Sequence, residues 1–554
     1  MSTIRVHRPG PRHVAAHRRR VAPHRWAAGW GTARLTARLI RRASVAAAAA
    51  LGIYLAVEAG SFLVGYPDEA SRAALEMWAR DPSVRLLSGP GTAVSTLGGF
   101  VVWDAGLFLH LIVCAWGLTT ATRVLRGDED AGRAELVLTG PVGSGQALRA
   151  QLAVLFLACL AVGSVGAGAL AVAGADLQGS ALFGALMAGF AATVVGLAAV
   201  SSQLFETRGR ALSASALVVA IALVLRVVAN SGDAWAGLAW VTPFGWMDLG
   251  RAFGENRWFV LLAPLTAVAL LATVATGLRQ HRDTGDGLLA SRRVPRSRSF
   301  GLGGPTAFAW RSTQRGLAGW VLALGISAGV FGALVRTLGD SLAKDPAFQR
   351  ILAGVGMELS DLTLGFANFI SLMLAVVIGV FAAFRMGTVA GEEAAGRAEQ
   401  VLARPVRRMG WLAGHVLCLA GSVVALAAVT AGSMWLGGVL AGQGLSANDA
   451  FAGVFNTLPA VAVFAGLDVL VYATLPRLTV AAGGALVATA YVVEVVGPLL
   501  ELPGWVTALS PFHHLAAVPM DPVDWGSCVA MLTIGIVVVG AGLVAFERRD
   551  LTTA

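Results

Sequence analysis

Lysine is nearly missing: the 554 residues include 42 Lys and Arg together, and only Lys344 among them is lysine. No G-x-x-x-x-G-K-[ST] occurs, so the chain lacks the loop and lysine that cradle nucleotide phosphates in a P-loop ATPase. Cysteine is scarce as well. Cys114, Cys159, Cys418 and Cys528 lie in or beside apolar blocks without CxxC or Cys/His spacing, which predicts small buried residues and no metal or disulfide site. Charge is sparse, at 13% against 56% hydrophobic residues, with a mean hydropathy of +0.71. Too little polar material remains to cover a soluble domain. Acid is absent altogether from residues 1–43, which hold eleven Arg and four His.

What fills the chain is apolar residues in blocks of bilayer-crossing length, about 20 helical residues each. They fall at 44–66, 98–122, 150–174, 181–204, 211–230 and 258–278, then at 316–338, 364–386, 411–441, 451–474, 479–500 and 526–546. The reading is an all-α polytopic membrane protein of twelve transmembrane helices. Ser44–Tyr66 is longer than a signal-peptide core and more spans follow it, so it is read as the first span. An even count puts both termini on one side, and the Arg-rich start makes that side cytoplasmic, in a plasma membrane. The alternation of loop charge agrees: 67–97 and 339–363 each carry four acids, whereas 123–149, 205–210, 279–315 and 387–410 carry Arg clusters. The net charge of +10 therefore belongs to the membrane flank and its lipid, not to a nucleic acid.

A long internal repeat organises the chain. Gly127–Val142 reads GDEDAGRAELVLTGPV and Gly391–Val406 reads GEEAAGRAEQVLARPV, identical at eleven of sixteen positions with an offset of 264. Trp240-Val241-Thr242 recurs as Trp505-Val506-Thr507, and Arg282-Asp283 as Arg549-Asp550. Six spans per half predict two parallel repeats. Spans facing lipid need only be apolar, whereas a loop kept alike in both halves suits docking on two copies of one partner surface. Ala131, Ala134 and Leu138 share a helical face, as do Ala395, Ala398 and Leu402, and Pro141 and Pro405 would end the helices. Glu129 with Arg133, and Glu393 with Arg397, are spaced for exposed ion pairs.

The pattern E-x-x-G-R-x-E-x-V-L-x-x-P-V resembles the coupling-helix loop of type V ABC exporter permeases, and fusion of two halves resembles the actinobacterial tetronasin-type exporters. That resemblance implies interfacial elbow helices before each half, and two docked copies of an ABC ATPase that bind ATP and Mg. This chain would hold no cofactor, metal or catalytic residue of its own, and would export an amphipathic drug, antibiotic or lipid-like molecule. It assigns docking to Glu129, Gly132, Arg133, Glu135, Leu138 and Pro141, and to Glu393, Gly396, Arg397, Glu399, Leu402 and Pro405. Arg404, Arg407 and Arg408 face Gly140, Gly143 and Ser144 in the alignment, so the two sites are expected to differ in strength. The expected organisation is a basic N-terminus with an elbow (1–43), a first repeat (44–278), a linker with a second elbow (279–315), a second repeat (316–546) and a tail (547–554).

Charges inside spans are costly and face cavities or partners. Glu58, Asp104, His110, Arg226, Asp468 and Glu494 stand out. Aligning the fifth and eleventh spans sets Arg226 opposite Glu494, an expected ion pair or polar latch between the halves, with snorkelling to water as the plainer account. Asp104 aligns with Asn368 as a second polar site on the transport path, and His110 is read as a packed helix residue. The competing function is a proton-coupled secondary transporter, which would need those ionisable residues and no partner. A membrane-bound transferase would need an acidic or His cluster on a large loop, which the chain lacks.

Overall fold

The computed structural model describes residues 24–80, 84–85, 88–140, 142–289, 303–343, 359–442, 445–497 and 502–551. Among them the chain is all helical. In order come α1 (His24–Gly65), α2 (Leu97–Thr122), α3 (Arg133–Leu138), α4 (Ser144–Val172), α5 (Leu177–Leu204), α6 (Arg208–Asn230) and α7 (Leu262–Gln280). Then follow α8 (Pro305–Ala343), α9 (Leu359–Ala394), α10 (Arg397–Leu402), α11 (Arg408–Leu440), α12 (Leu458–Thr474), α13 (Thr479–Val496) and α14 (Trp525–Arg548). Twelve helices are long and apolar enough to cross a membrane. The chain is a multi-pass membrane protein, as its hydropathy predicts.

Local chemistry sets several helix starts. Thr96 Oγ1 accepts from the Gly99 amide at 3.2 Å to open α2, and Asp176 Oδ2 accepts from Gly179 at 2.8 Å to open α5. Asp524 accepts from Gly526 and Ser527 at the head of α14. The tenth span is entered by a separate helix, Ala447–Asn456, because Pro459 follows Thr457 at the junction. No break separates Trp30, Leu35 and Leu39 from the first span, since α1 runs unbroken for 42 residues through sequence free of proline after Pro23. Likewise α8 carries Trp310 and Arg315 directly into the seventh span.

The chain divides into two compact units, Met1–Val294 and Pro295–Ala554. In the first, α2 and α5 are the most buried spans, while α6 and α7 leave most of their surface exposed. Helices approach through small residues, as membrane packing favours. A Cβ on Gly184 of α5 would lie 2.6 Å from the Gly163 carbonyl oxygen of α4, and one on Gly466 of α12 would lie 2.8 Å from that of Gly535 on α14. All four cysteines are buried thiols.

Candidate functional site

The two like-sequenced loops fold alike within their own units. In the first, α2 passes through a π turn at Arg123–Gly127 and one short turn at Asp128–Asp130, then reverses at Gly132 into α3. In the second, α9 runs straight to Ala394 and reverses at Gly396 into α10. The helices α3 and α10 begin and end 264 residues apart, matching the sequence offset. The reversals share their hydrogen bonds. Gly132 N donates to Glu129 O at 2.9 Å and Gly396 N to Glu393 O at 2.8 Å; Thr139 N donates to Glu135 O and Ala403 N to Glu399 O.

Both glycines have φ of +70°, the left-handed region. A Cβ there would meet nothing within 4 Å, so what selects glycine is backbone conformation and not crowding. Gly132→Ala or Gly396→Ala should each cost about 1–2 kcal/mol by putting a Cβ against its own carbonyl. Asparagine should cost less, and apparent melting temperature across the Ala and Asn variants checks that order.

This turn also corrects the predicted surface ion pairs. Because Gly132 breaks the helix, Glu129 and Arg133 do not share a face; Arg133 Nη2 pairs with Asp128 at 2.7 Å. Glu129 is turned inward, its side chain 7% exposed. Its carboxylate accepts from Arg126 Nη1 at 2.9 Å and, on both oxygens, from Arg282 Nη2 at 2.8 Å; Arg279 lies 3.2 Å away. Arg126, fully buried, also donates to the carbonyls of Glu206 and Asp286, tying the loop to the chain on either side of it. Burial pushes the Arg282 guanidinium below its ordinary pKa, and its hydrogen bonds to Glu129 pull it back up.

Glu393 repeats the inward turn at 2% exposure. It accepts from Arg549 Nη2 at 2.7 and 2.6 Å and from the Tyr472 hydroxyl at 2.8 Å. Arg549 stacks over the Tyr472 and Phe546 rings. Each loop glutamate is thus clamped to the arginine just past the last span of its own unit. Sequence reading found Arg282 and Arg549 as recurring landmarks but not as partners of Glu129 and Glu393, which lie 153 and 156 residues away.

The remaining motif residues sort by exposure. Arg133, Glu135, Arg397 and Glu399 are exposed, as is Pro405, while Leu138 and Leu402 are half-buried; Pro141 lies outside the described residues. Leu136, where the second loop has Gln400, is 74% exposed. Each loop therefore offers a short charged helix held from beneath by a buried ion pair.

The intramembrane residues find neighbours within their own units. Arg226 chelates Asp248, Nε to Oδ2 at 2.8 Å and Nη2 to Oδ1 at 3.0 Å, and Nη2 reaches the Ser88 carbonyl at 3.1 Å. Asp248 sits on the short helix Gly245–Gly250 before the sixth span, and Thr242 beside it donates to Ala222 O. Ser510, 268 residues on, donates likewise to Ala490 O. Glu494 lies 3.8 Å from His513 Nδ1. Asp104 of α2 lies beside Glu58 of α1, and Asn368 is half-buried on α9. His110 is packed, bonded to Gly106 O and edge-on to Phe190.

Residues 302–547 match the family model described as the C-terminal domain of the multidrug efflux system permease Rv1217c. The whole chain is similar to the multidrug efflux system permease protein Rv1217c of Mycobacterium tuberculosis, with 33% identity over 567 aligned positions covering 100% of both chains.

Proposed function

The chain belongs to the multidrug efflux system permease family, and from that membership we propose that it is the membrane subunit of an ATP-driven ABC exporter. Two copies of a separate ATPase, binding ATP and Mg, dock on the α3 and α10 loops. Their closure drives an amphipathic drug, antibiotic or lipid-like molecule out of the cell. Both termini lie in the cytoplasm, and the chain itself is a transport subunit without an ATPase site.

What supports the reading most is the pair of loops. Two stretches identical at eleven of sixteen positions fold into the same glycine reversal, exposed helix and buried clamp, which suits two identical partner surfaces. Arg226 and Glu494 act here as polar elements of the transport path, each now with a partner in its own half, and Asp104 and Asn368 as its second polar site. The carboxyl pair Glu58–Asp104 would instead serve a proton-coupled transporter, and the test separates the two. Inside-out vesicles holding the chain with its ATPase should take up a fluorescent amphipathic dye on addition of ATP, indifferent to a protonophore. Uptake by the chain alone, driven by a pH gradient and abolished by the protonophore, would overturn the ATP-driven reading.

A further inference from the structure

Beneath the first loop is a cavity of about 170 Å³ that the second half does not repeat in sequence. Its apolar walls include Leu35 and Thr36 of α1, Leu125 of the π turn, Leu138 of α3, and Ala147 and Leu148 of α4. Leu35 and Leu39 are exposed and form its lip. The reason for the space lies in one substitution. Helices α4 and α11 begin 264 residues apart, and at that offset Ala147 is replaced by Trp411. Trp411 is 1% exposed, stacked on Phe546 and edge-on to His415. His415 in turn replaces Gln151 of the cavity wall and meets Arg385 Nη2 at 2.9 Å. The second half fills with an indole what the first leaves open.

The polar end of the cavity is equally specific. Arg279 lines it and is 5% exposed, and its Nη1 makes no hydrogen bond among the described residues. Glu129 is near it at 3.2 Å, but Arg126 and Arg282 already bond that carboxylate. Within these ion pairs three guanidiniums, Arg126, Arg279 and Arg282, face two carboxylates, Glu129 and Asp130; Asp128, also in the wall, is taken by Arg133. One positive charge is left over, and two buried donors of the cluster, Arg279 Nη1 and Arg282 Nε, make no hydrogen bond among the described residues. An unmet buried donor is costly, and an apolar cavity of about 150 Å³ is known to admit a single aromatic ring.

We propose that this cavity binds an anionic amphiphile, its carboxylate or phosphate on Arg279 and a ring-sized or short-alkyl end in the space left by Ala147. Membrane lipid and free amphiphilic acids both carry that chemistry. The site does not depend on ATP drive, and its test reads binding alone.

The probe is a diazirine-bearing medium-chain carboxylic acid, photolysed with the full chain in phosphatidylcholine nanodiscs, with its methyl ester as control. Label should concentrate in residues 124–151 for the acid and not the ester. Ala147→Trp, which installs the residue of the second half, should reduce it about tenfold at unchanged melting temperature. Ala134→Phe fills the cavity from α3 and decides the matter if the first variant folds poorly. Trp411→Ala should gain label in residues 397–415. Label in 124–151 that both filling variants leave intact, or equal labelling by the ester, would overturn the proposal. Competition by phosphatidylglycerol in the nanodisc identifies lipid as the occupant, and competition only by added acids identifies a free amphiphile.

Discussion

A chain with Glu135 and Glu399 both changed to arginine should purify without its ATPase, while the wild-type chain holds two copies. Both side chains are exposed on α3 and α10, and neither is in an ion pair among the described residues, so the change leaves the fold's own contacts alone. Like charges brought together at an interface cost several kcal/mol, which at 1.4 kcal/mol per decade weakens each contact on the order of 100-fold or more. Single variants should retain one ATPase. The second loop adds Arg404, Arg407 and Arg408 where the first has Gly140, Gly143 and Ser144, so the two single variants should differ in how much they retain. Pull-down stoichiometry in detergent reads all three cases. A double variant that still carries two ATPases, at an unchanged melting temperature, would remove α3 and α10 from the interface.

How much of this was legible beforehand follows from the range of each interaction. Spans are set by the local run of apolar residues, so twelve helices emerged from hydropathy alone. The length of α1 did not, because a basic amphipathic stretch and an apolar one are both good helix formers and only the absence of a stop signal joins them. Gly132 and Gly396 were visible as identical residues, but a helical template placed Glu129 and Arg133 on one face, and a single left-handed residue separates them. Arg226 was recognised as costly in lipid, yet its counterion Asp248 lies 22 residues on, in a short helix outside the apolar blocks. The least legible feature was the clamp. Nothing local joins Glu129 to Arg282 or Glu393 to Arg549, and only the packing of the loop after the second span against the segment after the sixth brings them together.

Removing that clamp should have the largest effect on stability. Breaking one side of a buried ion pair costs about 3–5 kcal/mol, because the partner charge stays behind without compensation. Glu129→Ala leaves Arg279 and Arg282 without a carboxylate and Arg126 with Asp130 alone, all three guanidiniums nearly inaccessible. Glu393→Ala strands Arg549, which is more exposed and keeps its stacking on Tyr472 and Phe546, and takes the acceptor from the Tyr472 hydroxyl. The first variant should therefore lose more, with apparent melting lowered by on the order of 10 °C for a unit of this size. Glu129→Gln, which keeps an acceptor but not the charge, should fall between. Adding Arg549→Ala to Glu393→Ala should recover part of the loss, since the orphaned charge goes with it. Protease cleavage within 127–142 should rise in Glu129→Ala, because the carboxylate that ties the loop to Arg282, past the sixth span, is then gone. A Glu129→Ala chain that melts and resists protease like wild type would show that the loop is held by its apolar contacts alone. If the loss is as large as expected, the docking helices are rigid because their glutamates face inward. Force applied to α3 or α10 would then pass through Glu129 or Glu393 directly to the arginine at the end of the last span of the same half.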